Sequence, residues 1–428
     1  MKKDLIITLF GSTGDLAVKK ILPALSELIQ KEKIQNLGIV ALGRRDFDTL
    51  AYLDFAKKAN PDLNVEVLQD VLAYANMDIM SKHDFFMLKA MLKDLSHSGT
   101  KFVHYFALAP DLVLTVSKNL SESGLITKEN QNHVVIFEKP FGNNFKTAVK
   151  LKKQLWKYFT ESQIYRIDHY LGKDIVKKIY STKFSSQELE QKFEEGIKQI
   201  KIHVFEKDGI LNRGEYYDKA GAMKDMFQNH ILQMLSLLLI NKADCFVCEQ
   251  MIDNKVKAIK NLGFDKKTLV FGQYQEYKKE KKVGKNSRTE TLIGVVLNSK
   301  QKGIKNVPIT ILTGKKMDRK ETVVEVEFHD SSILRFHVDG QNNIELQTEN
   351  QKNVIYSSKD VLSPYSSLIL DAYRADKRFF VRYDEIEEAW RLADKILKSK
   401  KGIFIYQDNK DVKDILNEKQ IVVFDEQL

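Results

Sequence analysis

The chain has 428 residues, 43% of them hydrophobic, and a formal net charge of +10. That length exceeds one ordinary core and predicts two domains, while six prolines and twenty glycines spread along it exclude a disordered or repetitive chain. No apolar run is long enough to cross a bilayer, and Asp4 and Gly11 spoil the start as a signal peptide, so a cytoplasmic protein without a membrane partner is expected. The lysines are scattered among glutamates rather than gathered with aromatics on one face, which argues against nucleic acid as a partner and leaves a surface able to attract an anionic substrate. Cys245 and Cys248 are the only cysteines; with no second pair and no nearby histidine they cannot complete a zinc site, and no metal is expected.

Residues 4–10 form an apolar run that ends in Gly11-Ser12-Thr13-Gly14-Asp15-Leu16-Ala17, and Ile21, Leu22, Leu25, Leu28 and Ile29 follow at helical spacing. This reads as strand, glycine turn and helix. Gly11 and Gly14 let the backbone approach a pyrophosphate, Ala17 lets helix and strand come close, and the helix N-terminus attracts the anion, although the spacing departs from G-x-G-x-x-G. The next strand, 38–42, ends in Gly43-Arg44-Arg45, and two arginines there suit a ribose 2′-phosphate where an acidic residue would suit a free hydroxyl. NADP is therefore expected, with Asp46 leaving NAD use open. Strands at 71–75, 101–109 and 134–137 alternate with helices at 82–95 and 112–123, which predicts a doubly wound parallel sheet of the Rossmann type. The last strand runs into Glu138-Lys139-Pro140-Phe141-Gly142, readable as a ligand-binding strand end or as a plain turn.

After a helix at 147–159 comes Arg166-Ile-Asp168-His169-Tyr170-Leu-Gly-Lys173, which packs a carboxylate, an imidazole, a phenol and an ammonium into one segment anchored by Ile167 and Leu171. Such a set suits a phosphorylated sugar, with donors for phosphate oxygens and a carboxylate able to orient a base; a solvated turn is the plain alternative. Strands at 200–205, 291–297, 307–312, 322–328, 332–338 and 344–348 then follow largely without helices between them, which predicts an antiparallel sheet. One helix, 222–239, carries Asp225 and His230, and helices at 368–374 and 385–398 close the domain. The predicted division is 1–175 for the dinucleotide-binding domain and 176–428 for a substrate-binding and dimerisation domain with a mainly antiparallel sheet and helices.

Together these strings resemble the glucose-6-phosphate dehydrogenase family along nearly the whole chain. The resemblance runs through Gly11 to Ala17, Tyr105-Phe-Ala-Leu-Ala-Pro110, Glu138 to Gly142, Arg166 to Lys173 and Tyr216 to His230. It continues in the family's order with Phe271-Gly-Gln-Tyr274, Thr289-Glu-Thr291, Val307-Pro308, Thr313-Gly-Lys315 and Asp384-Glu-Ile-Glu-Glu-Ala-Trp390. It implies oxidation of C1 of glucose 6-phosphate to the lactone with reduction of NADP, the first step of the oxidative pentose phosphate pathway, in a homodimer or dimer of dimers. By position His230 resembles the general base and Asp168 the carboxylate that orients it, and a neutral imidazole suits removal of a hydroxyl proton as hydride leaves. His169, Tyr170 and Lys173 resemble the phosphate-binding group, and Lys139 a lysine reaching both cofactor and sugar. Glu206, Asp225, Lys315, Lys320 and Gln347 fall on sugar-binding positions. Gly11, Ser12, Thr13, Gly14, Asp15, Leu16, Arg44, Arg45, Tyr105 and Pro110 fall on the cofactor side.

There are departures from the family pattern. Residues 183–195 replace a stretch that carries a tryptophan and an asparagine, Leu312 stands for an arginine, and the tail after Lys400 lacks a Gly-Pro element. These bear on dimer contacts, substrate affinity and any extra structural nucleotide site. Two other readings are an oxidoreductase of the glucose-fructose type acting on an unphosphorylated sugar and a catalytically silent NADP-binding relative. The cationic cluster opposes the first, since a neutral substrate would leave it unpaired, and the presence of both Asp168 and His230 opposes the second.

Overall fold

The computed structural model describes residues 2–240, 249–419 and 421; Cys245 and Cys248 lie outside the described residues. The chain divides into two compact units, one of Met1–Gly142, Lys146–Gly172 and Leu362–Tyr383, the other of Asn143–Phe145, Lys173–Val361 and Asp384–Leu428.

In the first unit six strands, β1 (Lys3–Phe10), β2 (Leu37–Gly43), β3 (Leu72–Asn76), β4 (Ser96–Phe106), β5 (His133–Phe137) and β6 (Ile164–Arg166), pair in the order β3-β2-β1-β4-β5-β6. Every pairing is parallel. Their sequences read as continuous apolar runs because helices cover both faces: Leu5 to Phe10 are all buried. Parallel pairing brings the six carboxyl ends to one edge, and strand order reverses between β1 and β4, the switch point at which such sheets take ligands. The doubly wound expectation holds.

The helix Pro364–Tyr373 belongs to this unit, where apolar spacing alone had grouped it with the later elements. Its Ser366 hydroxyl donates to the Ala24 carbonyl at 3.2 Å and to Glu27 at 2.5 Å, on the helix Leu22–Gln30. Its other neighbour is the short turn His169–Gly172, so close that a Cβ on Gly172 would collide with the Pro364 carbonyl oxygen.

The second unit is built on a ten-stranded sheet. Its strands are β7 (Ile197–Glu206), β8 (Leu262–Phe264), β9 (Val270–Tyr274), β10 (Leu292–Ser299), β11 (Ile309–Lys315), β12 (Glu321–Phe328), β13 (Ile333–Asp339), β14 (Asn343–Gln347), β15 (Lys352–Ser357) and β16 (Phe404–Tyr406). The order is β15-β14-β13-β12-β7-β11-β10-β9-β16, with β8 also on β10. Only β7–β11 and β9–β16 pair in parallel, so the sheet is mainly antiparallel, as expected. The helix Leu232–Leu239 is buried along its whole length, which is why six of its eight residues are apolar. Among the described residues no helix is long and apolar enough to cross a membrane.

Gly172→Ala should destabilise the first unit by roughly 2–4 kcal/mol, because the added methyl has a backbone carbonyl in its way rather than a yielding side chain. Urea unfolding followed by circular dichroism would show this, and a change below about 0.5 kcal/mol would contradict the packing described.

Candidate active site

At the carboxyl edge of the first unit β1 ends in a turn whose shape depends on Gly11. This residue sits at φ +76°, and a Cβ there would collide with the Ala107 carbonyl oxygen beyond β4. The Gly14 N–H closes the turn on Gly11 O at 3.0 Å, and the Ser12 N–H donates to Leu42 O at the end of β2. Tyr52, wholly buried, supports the turn from below by donating its hydroxyl to Ser12 O at 3.0 Å. Ala17–Ile21 then winds as a π-helix with Ala17 buried, so helix and strand meet through a methyl group. Thr13 and Leu16 are half-buried, Gly14 and Asp15 are exposed, and Asp15 pairs with Lys19 at 3.3 Å. Arg44 and Arg45 follow β2 on the surface, the Arg45 guanidinium 4.6 Å from the Phe55 ring centroid. Pro110 lies exposed beyond β4. A turn with close backbone approach, a helix start and exposed arginines beside it together fit a dinucleotide.

The same edge carries a group of acids and phenols. Tyr105 of β4 is fully buried and donates to Glu138 Oε1 at 2.5 Å, just past β5. Burial pushes the Glu138 carboxyl up to about 7; the nearby Asp168 charge adds to this, while the Tyr105 hydroxyl and the Lys139 ammonium oppose it. Asp168 is 4% exposed and its Oδ1 accepts the Tyr170 N–H at 3.0 Å, which fixes the turn His169–Gly172. The His169 ring lies parallel to Tyr365 with centroids 6.4 Å apart and edge-on to Tyr170 at 5.1 Å. Tyr365 belongs to the helix Pro364–Tyr373, and burial raises its hydroxyl pKa, with the Glu138 and Asp168 charges adding to the effect. Sequence reading missed Tyr52 and Tyr365, whose roles come from segments far along the chain. The bond from Lys139 to Pro140 is cis.

In the second unit Asp225 and His230 share the segment Met223–Ile231, which winds as a π-helix after a kink at Gly221. The winding matters. At 3.6 residues per turn, side chains five apart point about 140° away from each other, whereas a π turn closes i onto i+5 and sets them on neighbouring turns of one face. Both are buried, Asp225 at 3% and His230 at 1% exposure. Asp225 accepts from Arg213 at 2.6 Å and stands 3.7 Å from the Lys315 ammonium at the end of β11. Lys315 also pairs with Glu206 at the end of β7, the strand aligned beside it. Three expected sugar-binding residues thus meet around one ammonium. Arg213, half-exposed over Tyr216, completes the group and was not foreseen. Lys320 is exposed in the turn before β12. Gln347 accepts from Arg335 at 2.6 Å, and strand register sets it level with Gln199 through Ile333 and Glu327, at the opposite end of β7 from Glu206. The register does not bring Gln347 into the cluster. Lys173, the first residue of the stretch Lys173–Val361 of this unit, holds both oxygens of Asp339, at 2.6 and 2.7 Å.

A parallel sheet with a glycine turn at its switch point, followed by a sheet whose strand ends gather carboxylates and lysines, is the plan of a dinucleotide-binding oxidoreductase. Residues 8–178 match the family described as "Glucose-6-phosphate dehydrogenase, NAD binding domain", and residues 181–359 and 341–414 match its C-terminal domain. A relative from Helicobacter pylori (strain J99), glucose-6-phosphate 1-dehydrogenase, is 30% identical over 406 residues, covering 92% of this chain and 93% of the relative. A solved glucose-6-phosphate 1-dehydrogenase from Mycobacterium avium superposes with a TM-score of 0.83 at 27% identity, covering 95% of this chain and 94% of that one. A glucose-6-phosphate dehydrogenase solved with its substrate glucose-6-phosphate has the same fold, with a TM-score of 0.89 at 24% identity and 99% of both chains covered. The chain belongs to the glucose-6-phosphate dehydrogenase family.

Glu138 offers a test of the acid cluster. With a native value of about 7 against an ordinary 4.5, it keeps a proton that the unfolded chain loses, so it lowers stability as pH rises from 4.5 to 7. Glu138→Gln should gain roughly 2–3 kcal/mol on the wild type across that range in urea titrations. Parallel pH profiles would contradict the burial of an ionisable carboxyl here.

Proposed function

We propose that this chain oxidises C1 of glucose 6-phosphate to 6-phosphogluconolactone with NADP as electron acceptor, the entry reaction of the oxidative pentose phosphate pathway. The observation that carries the reading is the π-wound segment Met223–Ile231, which turns His230 and a sugar-type carboxylate, Asp225, toward one face. In this reading His230 takes the C1 hydroxyl proton, and Asp168 holds the imidazole in the tautomer that can accept it. Glu206, Asp225 and Lys315 bond ring hydroxyls, with Arg213 balancing their charge and Lys320 at the rim. His169, Tyr170 and Lys173 bind the phosphate through neutral and charged donors.

The nicotinamide, when bound, supplies the acceptor for the hydride that leaves C1. Gly11, Ser12, Thr13, Gly14, Asp15 and Leu16 hold its pyrophosphate, Tyr105, Pro110 and Lys139 border the ring, and Arg44 and Arg45 take the 2′-phosphate. Two arginines with no carboxylate ahead of Asp46 favour NADP over NAD. A cytoplasmic homodimer formed through the large sheet completes the reading.

His230→Asn should lower kcat by about 10³-fold while KM for glucose 6-phosphate stays within a few-fold, since binding is kept and the base is lost. Lys173→Ala should instead raise KM for the phosphorylated sugar by about tenfold or more at nearly constant kcat. Reduced nicotinamide absorbance measures both. Full turnover in His230→Asn would remove the assigned base, and an unchanged KM in Lys173→Ala would remove the assigned phosphate ligand.

A further inference from the structure

The Lys173 ammonium does not stand alone. Lys173 precedes the helix Asp174–Thr182, which packs on β13, and its Nζ reaches both oxygens of Asp339, the last residue of that strand, at 2.6 and 2.7 Å. The pair is only partly shielded, with side chains 17% and 25% exposed. Next to it Asp174 accepts from the hydroxyls of Tyr356 and Ser358, each at 2.7 Å, so a second carboxylate at this corner is held by neutral donors. Two carboxylates, Asp339 and Asp174, thus stand at this corner with the Lys173 ammonium, and the Lys178 ammonium lies 4.9 Å from the Tyr356 ring centroid.

A phosphate monoester carries between one and two negative charges near neutral pH. Approaching Lys173, it meets an ammonium already claimed by an anion. Either the carboxylate swings toward water, which its partial exposure allows, or two anions share one ammonium at close range, which like charge disfavours. From this geometry we infer that Asp339 is an internal occupant of the phosphate-binding lysine, displaced or crowded by the sugar phosphate, and that it sets the affinity for phosphorylated substrate below what the bare lysine would give. The inference rests on the reading of Lys173 as a phosphate ligand.

An aspartate whose task was to aim Lys173 would have the opposite effect, since its loss would weaken binding. Asp339→Asn separates the two, because the amide keeps the size and one acceptor oxygen for the ammonium and removes the charge. KM for glucose 6-phosphate should fall about fivefold in Asp339→Asn, and inorganic phosphate should inhibit competitively with a Ki lower by a similar factor. KM for the nucleotide, assigned to other residues, should not move. In the Lys173→Ala background the same substitution should give no gain, as a double-mutant cycle requires of two residues acting on one another. Asp339→Ser, which also removes the charge, should shift KM in the same direction, and thermal midpoints of both variants identify any loss of folding. A KM that stays or rises in both folded variants overturns the inference and leaves the proposed function standing. An unaltered KM in Lys173→Ala overturns the phosphate assignment itself.

Discussion

Arg166 has a fully buried guanidinium, 1% exposed, at the end of the edge strand β6. It donates to both oxygens of Glu161, at 2.5 and 2.9 Å, and to the Val381 carbonyl at 3.2 Å, and the Tyr383 ring lies 3.7 Å from its carbon centre. Its own carbonyl accepts the Val381 N–H at 3.1 Å. One residue thus ties the edge of the parallel sheet to the segment that returns to it from two hundred residues further along. Burial alone would raise the Glu161 carboxyl pKa, but Arg166 outweighs it and holds the group ionised. Removing either partner would strand a charge in the interior, at a cost of about 3–5 kcal/mol. Asp168 and His169 follow directly, so the placement of these residues depends on this salt bridge.

The two units make their sites in different ways. In the first, parallel strands bring their ends to one edge, and a single residue that tolerates φ +76° lets the chain turn tightly against the Ala107 carbonyl. In the second, the functional groups come from strand ends and from a helix whose winding departs from 3.6 residues per turn. A regular α-helix through residues 223–231 would bury His230 or Asp225 on the wrong side. The wider π turns cost some hydrogen-bond geometry, which the surrounding apolar packing of Met223, Phe227 and Ile231 offsets.

Much of the fold was legible because it obeys local rules. The helix Lys82–Leu95 was read to the residue, and in the structure Ser81 caps it by accepting the Asp84 N–H. Five of the six strands of the parallel sheet announced themselves as short apolar runs between helices, and the three-residue β6 did not. The short strands β8 and β16, three residues each, carry no periodicity that could be read. The allegiance of Pro364–Tyr373 was hidden for another reason: spacing shows that a helix has an apolar face, not which core receives it. The π winding has no sequence signature of its own. Arg213 and Asp339 were missed because charged residues at turns and strand ends are usually solvated, and only the paired side chain reveals their place. Gln347 lies on a strand as expected, yet register, which the hydrophobic pattern leaves to the folded pairing, decides which end of the sheet it occupies.

In the proposed function, what unites these features is recognition of an anion as part of the substrate, with Lys139, Lys173, His169 and Tyr170 assigned as its donors. The most direct measurement is therefore the ratio of kcat/KM for glucose 6-phosphate to that for glucose, followed as reduced nicotinamide with NADP. A preference for the phosphorylated sugar of roughly 10³ or more agrees with a site built around the phosphate. Equal turnover of the two sugars would contradict it.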